Sequence, residues 1–209
     1  MGINLPLGGF KQFKHDNLTV IEVPLTQEEI EECLEMGKKR TKLDEEELGW
    51  TYRHHGMKSE RAHAIGFMSE VAFEKILNAE EVDYVRNDPF VERHEDIKQD
   101  FTINDSEIGV KSAENSNVEE ATKYGSFLYP AKKEEEESKR VLPYPDFLVQ
   151  TVVNVNEKKC WICGFVDKET IVQSPVREIV GKPAHTIAVE NYRPIEEILR
   201  KLGWSSLNK

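Results

Sequence analysis

Glu70, Asp100 and Lys111 are the residues whose types and placement carry chemistry in this chain. Glu70 falls midway along SERAHAIGFMSEVAFEKIL, Ser59 to Leu77, where Ile65, Met68, Ala72 and Ile76 define one apolar face and Phe67, Val71, Phe73 and Leu77 fill most of the remainder. A helix apolar nearly all round is buried. At about 100° per residue Glu70 projects between Leu77 and Phe67, so its carboxylate loses water and needs a partner. Asp100 heads DFTINDSEIGVKSAE, and Lys111 follows in the second strand of a hairpin turned by Asn104, Asp105 and Ser106, which sets Asp100 and Lys111 close together on one face. Two hard carboxylates and an ammonium are the parts of a divalent-cation site, with oxygens for Mg²⁺ or Mn²⁺ and a lysine to orient a water or stabilise a phosphorane. The expectation is that all three side chains converge within one coordination sphere.

Several elements must hold those residues in place. LTVIEV, Leu18 to Val23, reads as a strand ended by Pro24. Thr26 followed by Glu29 forms a capping box that starts an acidic amphipathic helix reaching Leu48. Ser59 is placed to cap the helix that carries Glu70. Short strands are expected over 81–85, 98–103 and 107–112, then longer ones over 146–155 and 159–166. A last strand over 185–190 and a helix opened by Pro194 and stopped by Gly203 complete the pattern. Strands and helices mixed around one sheet make the fold class α/β or α+β.

Composition narrows the function. The 209 residues, 38% hydrophobic, suffice for one sizeable core, and 28 basic against 39 acidic residues leave a formal charge of -11. A chain-wide field of that sign does not hold nucleic acid or an anionic membrane, so any such contact needs a local patch. One exists. The run from Thr26 to Leu48 has nine acids against four bases, whereas GWTYRHHGMKSERAHAIG, directly after it, holds Arg53, His54, His55, Lys58, Arg61 and His63 against the single acid Glu60. Arg53, His54, Lys58 and Arg61 are therefore the candidate phosphate-facing residues, with an exposed connector as the alternative. No stretch approaches the about 20 apolar residues of a membrane span, and MGINLPLGGFKQFKHD lacks the apolar run of a signal peptide. The expected setting is cytoplasmic, the host cytoplasm if the source is viral. Three cysteines, an odd number in a long chain, argue against a disulfide scaffold and for a reducing compartment.

At these residues the chain resembles the PD-(D/E)XK nuclease superfamily. GFMSEVAFEKIL is similar to its G-x-x-[GS]-E-x-A helix, Asp100 stands for its motif aspartate, and IGVKSAE is similar to its I-[DE]-V-K-[ST] strand. DFLVQTVV and CWICGFVDKE also look like the later strands of small phage and prokaryotic members. The resemblance, which runs from Ser59 to Thr170, implies a restriction-endonuclease-like core with a central mixed β-sheet flanked by helices. It implies a Mg²⁺- or Mn²⁺-dependent nuclease acting on DNA, with Asp100, Glu70 and the Val110 carbonyl as metal ligands and Lys111 at the attacking water. A homodimer that cuts both strands is a common form of such enzymes. Residues 1–58 then supply a strand, the acidic helix and the basic connector, residues 59–170 the nuclease-like core, and residues 171–209 a strand and helix on the same domain.

One position departs from the pattern. Two residues before the lysine, where the family has Asp or Glu, stands Gly109. Glu70 itself, Glu107 drawn in by a distorted strand, or Glu114 swinging back are the three candidate replacements, although Glu107 lies about 13 Å from Lys111 along a regular strand. A glycine in a strand often marks a bulge or a close backbone approach. The rival to catalysis is an inactive nuclease-fold protein that binds nucleic acid or a protein partner. A purely structural α/β protein is the third reading.

Other features point to packing. Cys160 and Cys163 form a lone CxxC within a strand pattern and read as core. His54, His55 and His63 lack metal spacing. Asp146 reads either as a residue flanking the site or as turn chemistry, and Tyr124, Phe127 and Tyr129 read as packing ahead of base stacking.

Overall fold

The computed structural model of the chain describes residues 7–48, 59–90, 98–131, 144–179 and 182–202. The Thr26 to Glu29 capping box forms as expected: the Glu29 N–H donates to the Thr26 hydroxyl at 3.1 Å and the Thr26 N–H to the Glu29 carboxylate at 2.7 Å. It opens α1, Gln27–Leu48, which lies along α2, Ser59–Ala79. Gly37 permits that approach, because a Cβ there would stand 2.9 Å from the Ala64 nitrogen. The Ser59 hydroxyl makes no hydrogen bond among the described residues, so it does not cap α2.

Ten strands make two sheets among the described residues. They are β1 Lys11–His15, β2 Leu18–Pro24, β3 Val85–Arg86, β4 Phe101–Ile103, β5 Ser106–Glu114, β6 Ser126–Pro130, β7 Phe147–Asn154, β8 Lys159–Asp167, β9 Val176–Ile179 and β10 Lys182–Ala188. The large sheet runs β1-β2-β8-β7-β5-β4-β3, and β5 with β7 is its one parallel pair; β6-β10-β9 form the small one. Three short α-helices, α3 Val118–Thr122, α4 Lys168–Gln173 and α5 Ile195–Lys201, and two 3₁₀ turns, Leu7–Gly9 and Val189–Asn191, complete the described elements. β4 and β5 meet in a tight turn at Asn104 and Asp105, both in the left-handed region that this turn requires.

The large sheet buries both faces. Against one lie α1, α2 and α5, with Ile30, Phe67, Phe73, Phe101, Ile108, Val149, Val153, Ile162 and Ile198 in a common core. Against the other lies the small sheet, through Leu18, Phe127, Leu148, Val152, Trp161, Val166 and Ile187. The chain is thus mixed α/β, with a large mixed sheet flanked by helices. Among the described residues no helix is long and apolar enough to cross a membrane.

Several boundaries differ from the sequence reading. The strand expected over 81–85 is reduced to the two residues of β3. The one expected from residue 98 starts at Phe101, because Asn87 and Glu107 take the preceding backbone groups out of the ladder: the Asn87 amide donates to the Gln99 carbonyl at 2.6 Å and the Gln99 N–H to the Glu107 carboxylate at 2.9 Å. The last strand lies earlier, at Lys182–Ala188, and Val189–Asn191 is a 3₁₀ turn.

Candidate active site

Burial of α2 on nearly all sides places Glu70, 8% exposed, against the hairpin of β4 and β5. Its partner is one the sequence reading missed. Arg86 on the edge strand β3 reaches the Glu70 carboxylate at 3.1 Å and that of Glu74, one turn on, at 2.9 Å. Tyr84 donates to the other Glu74 oxygen at 2.8 Å. The signal for Arg86 was indirect: a desolvated Glu70 requires a cation, and Arg86 lies beside a strand candidate.

Asp100 precedes β4 and is half-buried. Its carboxylate accepts the Val110 N–H at 2.6 Å, a short charge-assisted bond that locks the side chain against β5. Burial pushes its pKa up to about 6, against the pull of that N–H, of Lys111 and of Arg86. Glu70 is pushed further, to about 8, by burial first and the Asp100 charge second, with Arg86 opposing. Burial draws the Lys111 ammonium down, and Asp100 partly restores it. Asp100 is therefore the group that the other two share.

Lys111 and Glu70 approach Asp100 from different sides. Lys111 pairs with Gln150 in the β5–β7 register, and Gln150 alternates with Leu148 and Val152 toward the small sheet, whereas Thr151 faces α2 and donates to the Ser69 hydroxyl at 2.7 Å. Asp100 and Lys111 share a side, as expected of the hairpin. Glu70 instead belongs to the helix layer, where it pairs with Arg86 of β3 and feels the Asp100 charge. Tyr129 of β6 faces the same region, since the Asp100 charge adds to burial in raising its phenol. Tyr129 also packs on Tyr144 at 6.0 Å, and Phe127 is core, as the packing reading had them. Tyr124 is exposed.

Two of the three replacements for an acid at position 109 are engaged elsewhere. Glu107 holds the Gln99 N–H with one oxygen and the Thr102 hydroxyl, at 3.2 Å, with the other. Glu114 forms a bidentate pair with Arg61. Glu70 remains. Among the described residues no group of three or more His, Cys, Asp and Glu side chains stands in metal-holding geometry. The site thus brings two acids together, not three.

The remaining candidates fall outside this cluster. Arg53, His54, His55 and Lys58 lie outside the described residues, Arg61 is occupied by Glu114, and His63 is paired with Asp44 at 3.1 Å. Asp146 ties the start of β7 to β5: its carboxylate accepts the Glu107 N–H and its own N–H donates to the Glu107 carbonyl, both at 2.9 Å, a clamp between distant strands and not the local turn chemistry of the sequence reading. Cys160 and Cys163 belong to different cores on opposite faces of β8, and burial drives the Cys160 thiol up to about 12 and Cys163 higher still, so neither supplies a thiolate.

The raised carboxylates make stability fall with pH. Between the ordinary glutamate value of 4.5 and about 8 the folded chain retains the Glu70 proton that the unfolded chain has released, so raising pH through this window favours unfolding. The slope contributed by that proton approaches about 1.4 kcal/mol per pH unit. Urea unfolding at pH 5, 6, 7 and 8 should show a steeper decline for wild type than for Glu70→Gln; parallel declines would show that Glu70 is charged throughout. Comparison of the chain with protein-family models, curated proteins and solved structures returns no match.

Proposed function

We propose that the chain is a divalent-metal-dependent nuclease with a restriction-endonuclease-like core, hydrolysing phosphodiester bonds in DNA. The observation that carries this reading is Asp100, pinned by the Val110 N–H between a desolvated glutamate and a desolvated lysine. Two desolvated acids, one of which raises the pKa of the other, form a locality short of positive charge even with Arg86 present, and carboxylate oxygens suit Mg²⁺ or Mn²⁺. Asp100, Glu70 and the Val110 carbonyl would hold the ion, with water in the remaining positions. Mg²⁺ held there would supply Lewis-acid stabilisation of the charge that develops on the phosphoryl oxygens. Lys111, whose burial favours the neutral amine, orients the attacking water and accepts its proton. Arg86 neutralises the Glu70–Glu74 pair and holds Glu70 toward Asp100.

Gly109 and the Glu70–Arg86 pair favour a second reading, an inactive nuclease-fold protein that binds nucleic acid or a protein partner, since the pair satisfies Glu70 without a metal. Incubation of plasmid, single-stranded and branched DNA with Mg²⁺ and with Mn²⁺ separates the two. Cleavage lost on chelation supports the enzyme; binding without cleavage in either metal supports the inactive form.

DNA binding by a chain of net charge -11 requires a local basic patch, and the Arg53 to Arg61 segment is the candidate for it. Reversal of Arg53 and Lys58 should reduce the log-log salt slope by about one unit for each phosphate that is no longer neutralised. Arg61→Gln should change it less, because Glu114 already holds the guanidinium. An unchanged slope in the double reversal would show that the segment faces away from DNA.

A further inference from the structure

The space over Gly109 is filled. A Cβ built on Gly109 would lie 3.0 Å from the Gln99 side-chain oxygen and 3.2 and 3.4 Å from Cγ and Cβ of Pro145. Carboxylate oxygens lie roughly 2.4 Å (aspartate) to 3.6 Å (glutamate) from their own Cβ, by ordinary bond lengths. The Gln99 oxygen therefore stands at the distance from position 109 at which an acid on that residue would present its own oxygen.

The Gln99 backbone is held from several directions. Gln99 is 7% exposed. Its N–H is fixed by Glu107 at 2.9 Å and its carbonyl by the Asn87 amide at 2.6 Å, while the next residue is Asp100, whose carbonyl accepts the Asn87 N–H at 3.0 Å. The Pro145 ring walls the slot on another side. The absence of a side chain at Gly109 and the long side chain at Gln99 are thus complementary: the first opens the room that the second enters.

We infer that the Gln99 side-chain carbonyl is the oxygen ligand that replaces the missing acid of position 109, giving a site of two carboxylates and neutral oxygens. Amide carbonyls are ordinary ligands of hard divalent cations, and fewer ligand charges mean weaker binding. This rests on the metal-dependent reading above. It makes Gln99, and not Gly109, the position where an acid strengthens the site. At residue 109 a glutamate would meet the Gln99 oxygen and Pro145.

Mn²⁺ titration followed by electron paramagnetic resonance tests this without reference to turnover, using the full chain with folding checked by circular dichroism. Wild type should bind Mn²⁺, and Asp100→Asn should abolish binding. Gln99→Glu should tighten it by about tenfold through the added charge, and the near-isosteric Gln99→Met should weaken it by about tenfold. Gly109→Glu should not exceed wild type. If Asp100→Asn abolishes binding but either Gln99→Glu fails to tighten it or a folded Gln99→Met leaves it within twofold, Gln99 is not a ligand and the metal site stands without it. If wild type takes up no Mn²⁺, the metal-dependent reading falls and this inference falls with it.

Discussion

Asp100→Asn is expected to lower Mg²⁺-supported DNA cleavage by about 10³-fold or more while leaving DNA binding intact. Asparagine preserves the shape and an oxygen for the Val110 N–H, so the hairpin keeps its form. What disappears is the negative charge that both Glu70 and Lys111 feel. Removing it eliminates the carboxylate ligand on which the proposed metal site depends. Glu70→Gln should also abolish cleavage, with Arg86 left to Glu74. Gel-based cleavage and fluorescence binding assays on the same preparations separate the effects. Full activity in Asp100→Asn would sink the assignment; full activity in Glu70→Gln alone would remove Glu70 from the ligand set and return the role to Glu107 or Glu114.

Phe101→Ala should cost about 3–5 kcal/mol of stability, as loss of a fully buried aromatic usually does. Phe101 has no exposed surface and meets Phe73 of α2 edge-on at 5.5 Å and Tyr84 at 5.8 Å. β4 is only three residues long, and this ring, with Ile103, ties it to the helix layer. Its neighbour Asp100 depends on that anchorage, and α2 carries Glu70. Urea denaturation measures the stability loss. A cost below about 1 kcal/mol would show that the hairpin is held by its backbone ladder and not by this ring.

Much of this architecture was legible from local chemistry. The burial of Glu70 followed from apolar residues around α2, β7 and β8 from their apolar runs, and the hairpin turn from Asn104 and Asp105. The capping box at Thr26 and Glu29 needed only a four-residue window. Features set by distant partners were not legible in this way. β6 and β9 are short strands whose patterns gain meaning only against β10. β3 is two residues long, and the value of Arg86 lies in reaching back to α2. The side on which Lys111 lies depends on its parallel pairing with Gln150, which no local period encodes. Gly109 read as a gap because Gln99, which fills it, belongs to a segment that looks like ordinary strand.

The order of strands also dictates an order of events during synthesis. β8 lies between β2 and β7, yet it is the last strand of the large sheet to be made. Until it emerges, the β1–β2 ribbon and the β3–β4–β5–β7 assembly are separate halves, each with an open apolar edge. Ile21 and Val152 wait for Ile162 and Trp161. Such late, non-local closure slows folding and leaves unpaired edges exposed to other chains. A nascent chain halted before Lys159 should therefore aggregate or recruit chaperones, and one that has released Asp167 should escape both fates, which makes β8 the seam along which the molecule is closed.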